Sequence, residues 1–424
     1  MKNQWISILI VGLTLGTTWA VRGQFGHEQG AAWAGGIGAL ALVLVSQRKD
    51  WYSKMLMIAF SSAIGWGAGG MISYGQVVGY GRSDDLLNAS YGFLMLFVIG
   101  GLFGLMGGGL VGLTLDSSAQ KRVNWGGLVA EMAAGGLITY SFLIDQIELL
   151  MTPPRSEAWA VCLGAGIAMI WYMVRNNYNS PLRVAFYSAL GAGFGFAFGN
   201  FLQILGNVLE IDFNMWNVME YSIGFFGGIS MAYGVFSSEW KEESSIPKRW
   251  ENKTAFLMVF VFIPYLVLTN SPLIEAILRR SGDIQKPDDL PVISILTAIA
   301  IVVAVTLTGW FKTIKSGKSF ERKDVMLLFV LYFAAYIIIS YCVTGAFKGI
   351  FLFNHHLYVV NFIVVLILLG KHFPAFSEHP VSDINVKRWI QYAVGIVIVI
   401  LLLALISINI HQEMGGANNR FPLY

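Results

Sequence analysis

Thirteen stretches of this chain are apolar over lengths that match the hydrocarbon core of a bilayer. They fall at roughly 5–21, 30–47, 55–80, 89–115, 125–147, 157–175, 182–208, 219–237, 254–271, 291–311, 324–346, 349–370 and 388–410. A helix needs about 20 predominantly apolar residues to cross that core, and helices satisfy their own backbone there. The sequence therefore predicts an all-α polytopic membrane protein with about 13 transmembrane helices. Only 12% of its residues are charged, half the roughly one quarter found in soluble domains. Residues 1–20 have the outline of a secretory signal, with Lys2, an apolar core and small residues near Ala20. We read them as a retained first helix.

The basic residues set an orientation. With the N-terminus cytoplasmic, 20 of the 28 Lys and Arg residues fall on cytoplasmic segments and 8 on outer ones. Under the positive-inside rule this asymmetry places the N-terminus in the cytoplasm and the C-terminus outside. In a bacterium the location would be the inner membrane. The polar segment 271–290, with Arg279, Arg280, Asp283, Asp288 and Asp289, then reads as a solvated outer loop.

An internal repeat is visible. Residues 32–69 align with 158–195 without a gap, at an offset of 126, with 13 identities in 38 positions. Ala and Gly supply 9 of these, but Trp33/Trp159, Tyr52/Tyr178, Phe60/Phe186 and Ser62/Ser188 also match. Each unit holds four spans, and an even number gives both the same orientation, so the repeats are parallel. The expected organisation is a first four-helix repeat over 1–122, a second over 123–238, a charged cytoplasmic linker over 239–253 and a five-helix C-terminal part over 254–424. The 47 glycines have a packing role in this picture. Gly100, Gly104, Gly108 and Gly112 form a four-residue ladder of the kind that lets two helix backbones approach closely in lipid.

The stretch Arg22-Gly23-Gln24-Phe25-Gly26-His27-Glu28-Gln29 lies between the first two windows. Ionisable groups at such depth are costly and are usually kept for a function. A plain interfacial turn is the structural alternative. On the same outer side lie Asp145, Asn200, Gln203, Asn207, Glu220, His355 and His356. The sequence expectation is one outward-facing cavity. In it Arg22, Gln24, Asp145, Asn200 and Gln203 bind substrate, and His27, Glu28 and one of His355 and His356 act as acid/base groups. A structural Arg22–Asp145 ion pair is the alternative to a ligand site there, since intramembrane charges often partner one another. Adjacent histidines point about 100° apart on a helix, so His355 and His356 cannot both face one site. Glu131, near the inner end of the fifth window, reads as a snorkelling or proton-relay group.

Several chemistries are excluded locally. His27-Glu28 is followed at the fourth place by Ala31, so no zinc-protease motif exists. No phosphate loop, dinucleotide fingerprint or serine nucleophile elbow is present, and no cofactor or metal is expected. Cys162 and Cys342 lie in apolar runs and read as core residues. A net charge of +3 gives no footprint for nucleic acid. Beyond membrane lipid, the expected partner is a small polar or anionic solute. The duplicated units, Gly-rich helices and one-sided polar residues point to a secondary transporter, with His27 or Glu28 coupling it to protons. The alternative is a membrane-embedded enzyme, a transferase or hydrolase acting on a lipid or glycan through an outward-facing acid/base site.

Overall fold

Four long helices begin on an Asp or Asn whose side chain accepts a backbone N–H of the first turn, which is the usual way an orphan donor is satisfied. Asp85 does this for Asn88, Asn124 for Gly127, Asn214 for Asn217 and Asn385 for Arg388. In the computed structural model, residues 4–241, 247–270, 290–315, 319–344, 352–412 and 414–422 are described. Most of the outer loop expected at 271–290 therefore lies outside the described residues. Among those described, all regular structure is helical apart from one isolated bridge between Ser238 and Val381.

The helices are α1 (Gln4–Arg22), α2 (His27–Ser46), α3 (Lys49–Ser53), α4 (Met55–Gly70), α5 (Gly75–Gly81), α6 (Leu86–Asp116), α7 (Trp125–Tyr140), α8 (Ala158–Arg175), α9 (Asn179–Val208) and α10 (Met215–Phe236). They continue with α11 (Arg249–Leu257), α12 (Ile263–Thr269), α13 (Leu290–Gly309), α14 (Arg322–Thr344), α15 (Leu352–Leu369) and α16 (Val386–Ile410). Wide turns prolong three of them: Ser141–Gln146 after α7, Met258–Phe262 joining α11 to α12, and Trp310–Ile314 after α13. Ten helices among the described residues are long and apolar enough to cross a membrane, or eleven if the bent pair α4–α5 forms one span. Helix α10 is 22 residues long but carries Asn217 and Glu220, and it falls short in hydropathy. Helix α15, apolar over Phe353–Leu369, is not counted among these ten.

The window expected at 55–80 is not one straight helix. It breaks between Gly70 and Gly75 with a bend of 64°. Tyr74 leaves helical geometry there, at φ −142° and ψ −5°, and Ser73, Tyr74 and Gly75 of the break border a cavity.

The glycine ladder of α6 packs against α9. A Cβ on Gly112 would sit 2.7 Å from Pro181 Cα, and one on Gly108 would sit 2.5 Å from Ser188 Cβ. Pro181 is tolerated because it lies in the first turn of α9, where its missing N–H would be unpaired anyway. Helix α1 is buried between its neighbours rather than peripheral; Gly12 and Gly16 admit Ile229 and Phe225 of α10. The two aligned units share some contacts and differ in others. Gly65 and Gly69 of α4 face α6, and Gly191 and Gly195 of α9 face α10. Gly67, however, faces Ala32 of α2, whereas Gly193 faces Phe97 of α6. The C-terminal helices attach through aromatic residues: Tyr332 and Tyr336 of α14 stack on Trp33 at 5.2 and 4.7 Å, and Tyr336 donates to Gly30 O.

Candidate functional site

Arg22 ends α1 with its side chain 1% exposed. A charge that deep needs compensation in place, because burying it unpaired costs several kcal/mol or more. Glu220, in the second turn of α10, supplies it: Arg22 Nη1 donates to Glu220 Oε2 at 2.8 Å. The Tyr74 hydroxyl, in the break between α4 and α5, accepts from the same Nη1 at 3.0 Å and donates to Glu220 Oε1. His27, the first residue of α2, places Nδ1 3.3 Å from Arg22 Nη2. Guanidinium nitrogens only donate, so Nδ1 accepts there, and in the neutral ring the proton sits on Nε2. The guanidinium also lies 5.0 Å from the Trp19 ring and 5.7 Å from that of Tyr74, within cation–π range. Gly30 makes room for the arginine: a Cβ there would sit 2.9 Å from Arg22 Cγ. Arg22 Nε has no hydrogen-bond partner among the described residues.

This cluster forms the floor of a cavity of about 610 Å³. Its wall includes Gln24, Gly26, Ser73, Gly75, Arg155, Asn214, Trp216, Asn217 and Thr344. Arg155 is exposed and makes no ion pair among the described residues. Two long helices, α2 and α10, begin at this wall, and helix N-termini carry partial positive charge. Gly26, with φ +86°, turns the chain into α2 in a conformation that a side chain would strain. The cavity thus combines a paired cation, a lone cation, one carboxylate and a ring of neutral hydrogen-bonding groups. Buried aromatic rings pack beside the Arg22 cluster. Trp19 meets Trp66 at 5.1 Å and Phe103 at 5.6 Å, and Phe196 meets Tyr74 at 5.0 Å.

Of the expected residues, Arg22, Gln24 and His27 line this cavity. Glu28 does not. It follows His27 by about 100° around α2 and is exposed. Asp145 is not the partner of Arg22. It lies exposed in the wide turn after α7, a helix with little of its surface buried, while Glu220 faces Arg22 directly. His355 is buried one shell behind the wall, with Nε2 3.1 Å from Thr344 Oγ1. His356 turns outward, with Nδ1 3.1 Å from the Tyr341 hydroxyl. Asn200 is fully buried against Gly81. Gln203 lines a separate cavity of about 500 Å³ that shares Asn214 and Trp216 with the first. Glu131 pairs with Arg175 at 2.6 Å on a half-exposed surface. Cys162 and Cys342 are free and buried, and no group of three metal-ligating side chains converges among the described residues.

Glu220, Tyr74, Arg155 and the Asn214–Asn217 turn were not assigned from sequence. Glu220 carried a usable signal, being the one acid in the apolar window 219–237. Tyr74 carried none, because only the break in its helix brings it to Arg22. No protein-family model matches the chain, and neither a curated protein nor a solved structure resembles it.

Proposed function

We propose that this chain is a secondary transporter of a small anionic solute, built as about thirteen spans in two parallel four-helix units and a five-helix C-terminal part. The observation that carries the reading is the broken span α4–α5: its break places Ser73 and Tyr74 on the wall of a polar cavity, beside a buried arginine. Discontinuous helices at a buried polar site are the recurring transporter arrangement. Arg22, Arg155 and two helix N-termini favour an anion. Glu220 is the coupling group. While ionised it occupies Arg22; taking up a proton, it releases the guanidinium to an incoming anion, so that anion and proton enter together. His27 and Tyr74, which touch the same pair, hold the guanidinium in place during the exchange. The Lys and Arg distribution supports an N-terminus inside and a C-terminus outside, which makes this cavity outward-facing.

The test is uptake of anions into liposomes containing the purified chain, with and without an inward proton gradient. Arg22→Gln is expected to abolish uptake. Glu220→Gln is expected to leave exchange down a concentration gradient while removing the stimulation by protons. Full proton dependence in Glu220→Gln would sink the coupling role.

A second reading is favoured by one feature. An apolar groove of about 360 Å³, walled by Tyr221, Leu357, Tyr358 and Val364, shares Asn217 with the polar cavity. A hydrocarbon chain lying there would bring a lipid headgroup to Arg22 and His27, as a membrane-embedded transferase or hydrolase requires. Turnover of a lipid substrate by the purified chain, without solute movement, would favour this reading over transport.

A further inference from the structure

Beside the Arg22 cavity, a second polar pocket of about 500 Å³ is lined by Arg82, Gln203, Asn207, Trp216, Met414 and others. Gln203 is 1% exposed, and neither its amide nitrogen nor its amide oxygen has a partner among the described residues. Arg82 is 9% exposed, its Nε is unpartnered, and it makes no ion pair among the described residues. Its Nη1 donates to Gly415 O at 3.1 Å, and its guanidinium stacks 5.3 Å from the Trp216 ring. Gln203 and Asn207 stand four residues apart on α9 and so share a face.

Buried polar atoms are almost always paired, because leaving one unpaired costs about 1–3 kcal/mol, and an uncompensated cation costs more. Here, among the described residues, a guanidinium with no carboxylate partner and a carboxamide with neither atom hydrogen-bonded line one pocket. A carboxylate answers the guanidinium. The carboxamide offers both a donor and an acceptor, so its complement must also carry both, as a hydroxyl does. The two pockets have Asn214 and Trp216 in both linings.

We propose that the Arg82–Gln203 pocket is a second subsite for the same solute, and that the solute is a small hydroxylated dicarboxylate. One carboxylate meets Arg22; the other meets Arg82, with an adjacent hydroxyl on Gln203. This inference rests on the reading of the Arg22 cavity as an anion site.

The experiment is calorimetric titration of the full chain in nanodiscs with acetate, succinate and tartrate. Tartrate is expected to bind about tenfold or more tighter than acetate, the worth of one charge-assisted hydrogen bond, with succinate between them. Gln203→Leu is expected to reduce the tartrate-to-acetate ratio to within about twofold. Arg82→Gln, nearer the surface, gives the same readout should the buried Gln203→Leu chain not assemble. A ratio near one in the native chain, or a ratio retained in both variants, overturns the second subsite while the Arg22 reading stands. Binding of none of the three probes, or binding unaffected by Arg22→Gln, overturns both.

Discussion

Arg22 and Glu220 are each 6% exposed or less in their side chains, so neither tolerates the loss of the other. Removing one member of a buried pair typically costs about 3–5 kcal/mol, whereas replacing both by apolar groups of similar size is often neutral. Arg22→Met alone is therefore expected to lower stability by about 3–5 kcal/mol, and Arg22→Met with Glu220→Leu to restore most of it. Thermal unfolding of the purified chain measures both. Uptake should be absent in the single and the double variant alike, which separates the pair's role in the fold from its role at the site. A double variant no more stable than the single would mean that the two side chains are not coupled. The sequence made Arg22 conspicuous, because a cation between two apolar windows is expensive wherever it points. It could not name the partner. Glu220 lies 198 positions away, and choosing it over Asp145 depends on α10, not α7, packing along α1. His355 and His356 could be separated by helix geometry alone, but that one of them would lie behind Thr344 depends on how α14 and α15 meet.

At the scale of elements, the apolar windows located most helices but not the break in the fourth. A hydropathy window averages over Met71-Ile72-Ser73-Tyr74 and hides the place where helical geometry stops. The glycine ladder was legible as a close-packing stripe, while its partner was not. The α6–α9 contact crosses the two aligned units and leaves no mark in a repeat comparison. Gly108→Val should force α6 away from Ser188, since a Cβ alone already meets Ser188 Cβ at 2.5 Å. Overpacking of this kind costs about 1–3 kcal/mol and would appear as a lower melting temperature. A second element-scale device is the C-terminal tail. Asn88 is fully buried, and its Oδ1 accepts from the backbone N–H groups of Arg420 at 2.7 Å and Phe421 at 2.8 Å. Asn418 adds a bond to Gly79 O at 3.0 Å. Asn88→Ala orphans two backbone donors and should cost about 1–3 kcal/mol, seen first as faster proteolysis of the tail while the bundle stays intact.

Considered as a whole, the molecule places its chemistry at one end. Arg22, His27, Ser73, Tyr74, Arg155 and Asn214 lie in or flank four separate connections between helices, and with Glu220 of α10 they border the same cavity. The other end holds a different set: Arg48 paired with Asp50 at 2.7 Å, Arg183 bonded to Ser238, and Glu131 with Arg175. Grouping of connections by end is what alternate crossings of a membrane produce, and the charge asymmetry of the sequence gives that grouping a direction. The direction can be read chemically. In a chain with Cys162 and Cys342 replaced by Ala, a cysteine at Ser73 or Asn214 is expected to react with a membrane-impermeant maleimide added outside intact cells. A cysteine at exposed Lys371 should react only after the membrane is opened, because Lys371 lies at the far end of α15. Labelling of Lys371→Cys in intact cells, with Ser73→Cys silent, would invert the orientation. Adding anion should then protect Ser73→Cys, since the break it sits in lines the cavity, and leave Lys371→Cys unaffected. Equal rates with and without anion at Ser73 would detach the broken span from binding, and with it the feature on which the transport reading depends.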